Sequence, residues 1–290
     1  MPEMDTRFKF VMNELVLLSR KTRPERYSWQ GVKNAVLLAT SVLRSEALQN
    51  KAPIQLDKIK KIRMILEEKS FRGPSNGLDA ILVPVPGGFV LKLNNRQGRS
   101  RRRFSTAHEI GHTFFYNLNT TTPTRWFPVT TSPLFSRKEE DICNAFAREL
   151  LMPKELVQLD IANSGNKNLK MIIDLAAKYM VSPEVVARRL LLDLAMFESS
   201  IVLFKEPGVT NDKSVWWFYG TKLKRYIRKE EKAIFSQVIQ AIREGCEPQS
   251  LCHMLASNKT MSIEHYQPRP NSRLMILVIF RRDNRFVLPN

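Results

Sequence analysis

A chain of 290 residues with a 43% apolar share can build two domains with real cores, which excludes wholesale disorder. No apolar run reaches the ~18 residues of a membrane span, and the charge-broken start "MPEMDTRFKFVMNELVLLSRK" offers no small-residue cleavage site, so neither a span nor a secretory signal is expected. The net charge of +18 suits a polyanion or an acidic protein partner, or solubility alone, and by itself names none of these.

Residues 1–50 predict two helices, with Phe8, Val11, Met12 and Leu15, then Val32, Val36, Ala39 and Val42, at helical spacing. The stretch "APIQLDKIKKIRMILEEKSFRGP" predicts a helix through Ile59, Ile62 and Ile65 that stops at Gly73-Pro74. "LDAILVPVPGGFVLKLNN" predicts a hairpin turning at Pro86, Gly87 and Gly88. Helices follow through "STAHEIGH", from Glu139 to Leu151 ahead of Pro153, and through "LKMIIDLAAKYM". The next, "EVVARRLLLDL", has Ser182 as N-cap and Pro183 at its first position. From residue 199 the texture becomes α+β. "SIVLFKE", "SVWWFYG", "SIEHYQ" and "RLMILVIFRR" predict strands, with one helix, "KEEKAIFSQVIQAIREG", among them. Cys143, Cys246 and Cys252 are odd in number and lack ligand-like spacing, which fits a reducing, cytoplasmic setting.

The chemistry concentrates in "RRRFSTAHEIGHTFFYN", which holds two of the four histidines. Positions four apart on a helix share a face, so His108 and His112 can meet one ion through imidazole nitrogens that suit Zn²⁺ and other first-row metals. Glu109 sits beside the first ligand, where its carboxylate can take a proton from a metal-bound water as that water attacks a carbonyl. Other readings of the same letters exist. Thr106 and Glu109 fit a capping box, and His112 could be a core histidine. Gly111 costs a helix ~1 kcal/mol against alanine, which points to a close approach there.

A catalytic zinc commonly has three protein ligands. His253 and His265 both fall in the C-terminal part, so the better source is "SRKEEDICNAFARELLMP", with Glu139, Glu140 and Asp141 near its start. One of these carboxylates can complete a His-His-Glu set, although acidic residues also complement a helix N-terminus for its own sake. Glu140 shares a face with Asn144 and Ala147, where small residues permit close packing.

Together "RRRFSTAHEIGHTFFYN" and "EEDICNAFARELLMP" resemble the IrrE/ImmA-type metallopeptidases of bacteria and their mobile elements. Arg101, Arg103, Phe104, Ala107, His108, Glu109, Gly111 and His112 match the first motif of that family. Glu140, Asn144, Phe146, Ala147, Leu150, Leu151 and Pro153 match the second, and Ser105 stands where threonine is usual. The likeness runs over roughly residues 50–195 and implies a zincin-like fold, a small sheet with an active-site helix. It implies His108, His112 and Glu140 as metal ligands, with Glu139 as a substitute for Glu140, and Glu109 as catalytic base. Zn²⁺, or Mn²⁺ in its place, would be the ion. It also implies that Phe89 to Asn94 forms the edge along which a peptide adds as a strand. Tyr116, one turn beyond His112, would pack in the core or line the cleft.

Members of this family cut a helix-turn-helix repressor and so induce stress or mobile-element genes; the larger ones carry a helix-turn-helix-like unit and then a GAF-like sensor. On that pattern the chain divides into an N-terminal helical extension (1–50), a metallopeptidase domain (51–160), a helix-turn-helix-like segment (161–198) and a C-terminal α+β domain, GAF-like by position (199–290). The competing function is a DNA-binding regulator that reads DNA with the helix pair at 169–194 and holds phosphates with the basic clusters Arg96 to Arg103, Lys222 to Lys232, and Arg281 with Arg282. Against it, Val185, Val186 and Leu190 leave Arg188 and Arg189 as that helix's main polar reach.

Overall fold

The computed structural model describes residues 29–74, 77–125, 133–164 and 168–194, with the strands at 200–205, 215–219, 261–266 and 274–280. The expected helices at the extreme N-terminus and at 229–245 lie outside the described residues. The architecture is mixed α+β. The chain divides into two compact units, Met1–Leu159 with Ala177–Ser182, and Asp160–Ala176 with Pro183–Asn290.

In the first unit, α1 (Trp29–Glu46) buries the expected stripe of Val32, Val36, Ala39 and Val42. Helix α2 (Leu56–Ile62) is followed by three strands, β1 (Ile65–Phe71), β2 (Ala80–Val85) and β3 (Gly88–Asn94). They form one sheet in the order β1-β3-β2, with β1 parallel and β2 antiparallel to β3. The helix expected to run through Ile65 therefore ends early. Met64 takes a left-handed backbone (φ 57°), its carbonyl accepts the Phe89 N–H at 2.8 Å, and Ile65 enters a strand. Spacing of three between isoleucines suits a helix, but the pairing available to residues 65–71 along β3 decides otherwise.

The β2–β3 hairpin turns where the glycines predict, with Val85 opposite Gly88 and Gly87 at φ 83°. A Cβ on Gly88 would lie 2.1 Å from the Met64 carbonyl oxygen, so only glycine lets β1 and β3 meet there. Because β3 is bonded on both sides, Phe89 to Asn94 cannot be a binding edge; the outer strands are β1 and β2. Phe89, Leu91 and Leu93 alternate into the core, the period-two pattern of a strand packed on one face.

Helix α3 (Arg99–His112) packs against β2 and β3 on one side and α4 (Pro133–Leu151) on another, and α4 also packs on α1. A short 3₁₀ turn (Thr113–Phe115) leads from α3 into a small hairpin, β4 (Tyr116–Asn117) with β5 (Thr124–Arg125), which pairs Tyr116 with Arg125. Arg63 is fully buried beneath this turn. Its Nε donates to Thr113 Oγ1 at 2.8 Å and its guanidinium lies 4.1 Å from the Phe114 ring centre. Burial pulls its pKa down to about 9 against the charge of Glu46, so it remains cationic at neutral pH. Helix α5 (Lys154–Ser164), not foreseen in the sequence, follows α4.

Described by itself, the second unit includes most of α6 (Leu169–Tyr179), which Asn168 caps by accepting the Met171 N–H at 2.9 Å. It also includes α7 (Pro183–Arg188), which starts at the expected proline and continues as a π-helical turn (Arg189–Asp193). Its sheet is antiparallel, with β6 (Ser200–Lys205), β7 (Val215–Tyr219), β8 (Met261–Tyr266) and β9 (Leu274–Phe280) in the order β7-β6-β9-β8. All four strands lie where the apolar runs predict them.

Candidate metal centre

Two crossing helices build the site. The crossing is tight at Gly111, where a Cβ would lie 3.1 Å from Phe146 Cδ1 and 3.2 Å from Cys143 Cα. The close approach that a glycine in this helix implied is thus the backbone of α4. Helix α3 starts at Arg99 behind Gly98 as N-cap, which places Thr106 in mid-helix, and its hydroxyl donates to the Arg102 carbonyl at 3.0 Å. Glu109 therefore closes no capping box.

His108 and His112 point from α3 toward α4, and each Nδ1 has a partner there. His112 Nδ1 lies 2.7 Å from Glu139 Oε1, and His108 Nδ1 lies 3.1 Å from Asn144 Oδ1. A carboxylate and an amide oxygen only accept, so in both rings the neutral tautomer carries its proton on Nδ1 and a lone pair on Nε2. The two Nε2 atoms are 3.0 Å apart. Glu140 closes the space, with Oε2 3.0 Å from His108 Nε2 and Oε1 3.3 Å from His112 Nε2. With both rings neutral, acceptors converge on one point. Such an arrangement calls for a cation.

The spacing tests which cation fits. Ligand bonds of ~2.0–2.2 Å in a tetrahedral zinc site set donor atoms roughly 3.3–3.6 Å apart, and the separations here, 3.0–3.3 Å, reach the lower end of that range. Nitrogen and oxygen donors of this kind suit Zn²⁺ and its first-row neighbours. His108, His112 and Glu140 thus form a group whose ligand atoms lie within 4.8 Å of one another and which could hold a metal. Of the three acidic residues at the start of the motif, Glu139 instead grips the outer nitrogen of His112, and Asp141 is exposed.

The electrostatics follow the same pattern. Hydrogen bonds from His108 and His112 hold the half-exposed Glu140 carboxyl well below the usual carboxylate range. For His112, burial opposes the charge most, yet the hydrogen bonds of Glu139 and Glu140 lift the imidazole above the ordinary histidine range. The Cys143 thiol is itself pushed up to about 11 by burial and is neutral at pH 7, so the attraction comes from the two carboxylates. Glu109, buried between α3 and the sheet, is raised above the usual range, first by burial and then by Glu140, against His112, His108 and a backbone hydrogen bond from Leu82.

That last bond locates the sheet edge. Asn94 N–H donates to the Asp79 carbonyl at 2.9 Å, which sets odd-numbered residues of the hairpin's first strand facing β3 and turns the backbone groups of Ala80, Leu82 and Pro84 outward. Pro84 lacks an N–H and is placed where none is needed for the sheet. The outer edge of β2, and not β3, runs beside Glu109.

One residue of the site, Arg125, had no motif to announce it. Arg125 pairs with Glu139 through Nη2 and donates from Nη1 to the Tyr116 hydroxyl at 3.3 Å. Tyr116 is buried and packs edge-on against Phe89 at 5.1 Å, which gives it a core role. Cys143 is buried and free; Cys246 and Cys252 lie outside the described residues. Two of the arginines ahead of the motif are engaged within the fold, Arg101 with Asp79 at 2.7 Å and Arg103 with the Ile54 carbonyl.

Residues 78–191 match the family model of the IrrE N-terminal-like domain, Peptidase_M78. No curated protein matches the chain. Among solved structures, a Mycobacterium tuberculosis transcriptional regulator aligns over 94% of this chain and 93% of its own, at 12% identity and a TM-score of 0.45. A likeness that slight assigns neither fold nor function.

Proposed function

We propose, on the premise that residues 78–191 belong to the IrrE N-terminal-like peptidase family, that this protein is an intracellular metal-dependent endopeptidase whose substrate is a helix-turn-helix repressor. The observation that carries the reading is the convergence of His108 Nε2, His112 Nε2 and Glu140 on one point, with the carboxylate of Glu109 buried alongside. His108, His112 and Glu140 hold the ion. Zn²⁺ suits the donors best, with Mn²⁺ as the alternative; when bound, the metal polarises the peptide carbonyl and lowers the pKa of water to roughly 7.

Glu109 supplies the proton transfer. Burial keeps its carboxyl above the ordinary carboxylate range, which makes the carboxylate a stronger base. It takes a proton from the attacking water and returns one to the leaving amine nitrogen. The outward groups of Ala80 and the outward carbonyl of Leu82, whose N–H is taken by Glu109, give an extended peptide a line of backbone partners that ends at Glu109. Cleavage of a repressor would relieve repression of stress-response or mobile-element genes. On the same reading the C-terminal α+β part, which follows the peptidase part in the chain, would serve as a GAF-like sensor.

The rival reading, a regulator that reads DNA with the 169–194 helix pair, loses its polar reach. Arg188 pairs with Glu184 at 3.1 Å, and Arg189 is buried with Asp193 at 3.4 Å. The test incubates zinc-loaded protein with purified helix-turn-helix repressors from the same genome, beside a chelated sample and Glu109→Gln. Fragments are expected from the loaded wild type alone, since loss of a general base costs about 10²–10⁴-fold, while Glu109→Gln still binds zinc. Cleavage that survives Glu109→Gln refutes the mechanism.

A further inference from the structure

Glu139 and Glu140 are adjacent carboxylates beside the same histidine, and each could in principle reach the ion. Glu139 already touches His112, with Oε1 2.7 Å from Nδ1, yet its side chain is only 5% exposed and its other oxygen is taken by Arg125. Arg125 comes from a different element. It stands on β5 opposite Tyr116 of β4, its guanidinium lies 5.1 Å from the Tyr116 ring centre, and its Nη1 donates to the Tyr116 hydroxyl. Tyr116 in turn is wedged against Phe89 of the central strand. A continuous line of contacts therefore runs from the sheet through Tyr116, Arg125 and Glu139 to the outer nitrogen of His112.

We infer that Arg125 is a positioning residue of the metal centre: by gripping Glu139 it keeps that carboxylate on His112 Nδ1 and out of the ligand set, so that Glu140 closes the cage. This inference rests on the metal-site reading above. A charge-assisted pair fixes both ends of a carboxylate where a single hydrogen bond leaves it free to swing. Holding His112 Nδ1–H fixes the tautomer and the ring plane, which is how a supporting carboxylate strengthens a ligating imidazole. Released from Arg125, Glu139 would carry an unpartnered oxygen next to a cation, and would turn toward it.

The experiment compares full-length wild type, Arg125→Ala, Arg125→Lys and Glu139→Gln. Zinc affinity is measured by chelator competition, and the visible absorption of the Co²⁺-loaded protein reads the ligand set. Arg125→Ala should weaken Zn²⁺ binding about 10–100-fold, and its Co²⁺ bands should weaken and shift as a further oxygen joins the ion. Arg125→Lys should recover most of the affinity and the wild-type bands. Glu139→Gln should lose affinity without acquiring the altered bands, because no second carboxylate remains to join. If near-UV circular dichroism finds Arg125→Ala unfolded, Arg125→Lys and Glu139→Gln carry the comparison. Affinities within about twofold of wild type, with superimposable Co²⁺ spectra, overturn the inference. A wild type that binds neither Zn²⁺ nor Co²⁺ instead overturns the metal-site reading beneath it.

Discussion

Replacing Gly111 by alanine separates the demands of the metal centre from those of the fold. Alanine favours a helix over glycine by ~1 kcal/mol, so an uncrowded site would gain stability. Here the new Cβ meets Phe146 Cδ1 at 3.1 Å and the Cys143 backbone at 3.2 Å. Phe146 is fully buried and held against Phe114, with ring centres 5.4 Å apart, so neither neighbour yields freely. Overpacking of this sort costs ~1–3 kcal/mol. The net is a loss of about 0–2 kcal/mol, or a few degrees in melting temperature. The metal centre is less forgiving. The helices must part by a few tenths of an ångström at Cys143, about one turn from Glu140 and Glu139, and the ligand separations of 3.0–3.3 Å leave little slack. Zinc affinity should fall about tenfold or more, the range for losing a supporting contact. Urea unfolding of the metal-free protein and chelator competition give the two numbers. A Gly111→Ala protein that is more stable by ~1 kcal/mol, with unchanged zinc affinity, would refute the reasoning.

Glu140→Gln should leave the metal-free fold intact, because Glu140 is half-exposed, yet reduce zinc affinity beyond the roughly 10–100-fold of a supporting residue; equilibrium dialysis checks it against Glu139→Gln. Arg63→Ala should cost about 3–5 kcal/mol in urea unfolding, since it empties a buried site and strips Thr113 and Phe114 of their contact. Cys143 gives an alkaline signature. Its thiol is raised from 9.0 to about 11, so the thiolate is disfavoured more in the folded state than in the unfolded one. Stability from that source is fully present below pH 9 and is lost as pH rises toward 11, by at most about 2–3 kcal/mol. Metal-free Cys143→Ala, unfolded in urea across that range, should lack this part of the decline.

The sequence carried the site better than it carried the sheet. HEIGH and the acidic helix after it were legible because their chemistry depends on spacing within one helix, and helical spacing is a local property. Glu140 over Glu139 comes from the resemblance and not from spacing; the pairing of Glu139 with Arg125 was out of reach, because Arg125 comes from a two-residue strand with no motif of its own. Ile65 to Phe71 read as helix because isoleucines at intervals of three fit that period, while the strand's partner lies more than twenty residues downstream. Helix α5 escaped notice for the opposite reason. Its apolar residues do not keep to one face, and Leu159 stands 61% exposed while Val157 and Ile161 are buried. Phe89 to Asn94 is expected as an edge from the resemblance, and its own residues could not correct that, because apolar alternation tells which face of a strand is covered and says nothing about how many neighbours it has.

The crossing at Gly111 also decides where this chain tolerates insertions. Ligands on both sides are counted from one contact point, Gly111 on α3 and Cys143 on α4, so distance along each helix converts directly into direction around it. One residue added between Glu140 and Cys143 would swing the carboxylate by about 100° and empty the cage. One added ahead of Pro133 changes no angle between the ligands. Length variation among related chains is therefore expected to accumulate before α4 and to stop abruptly at Glu139.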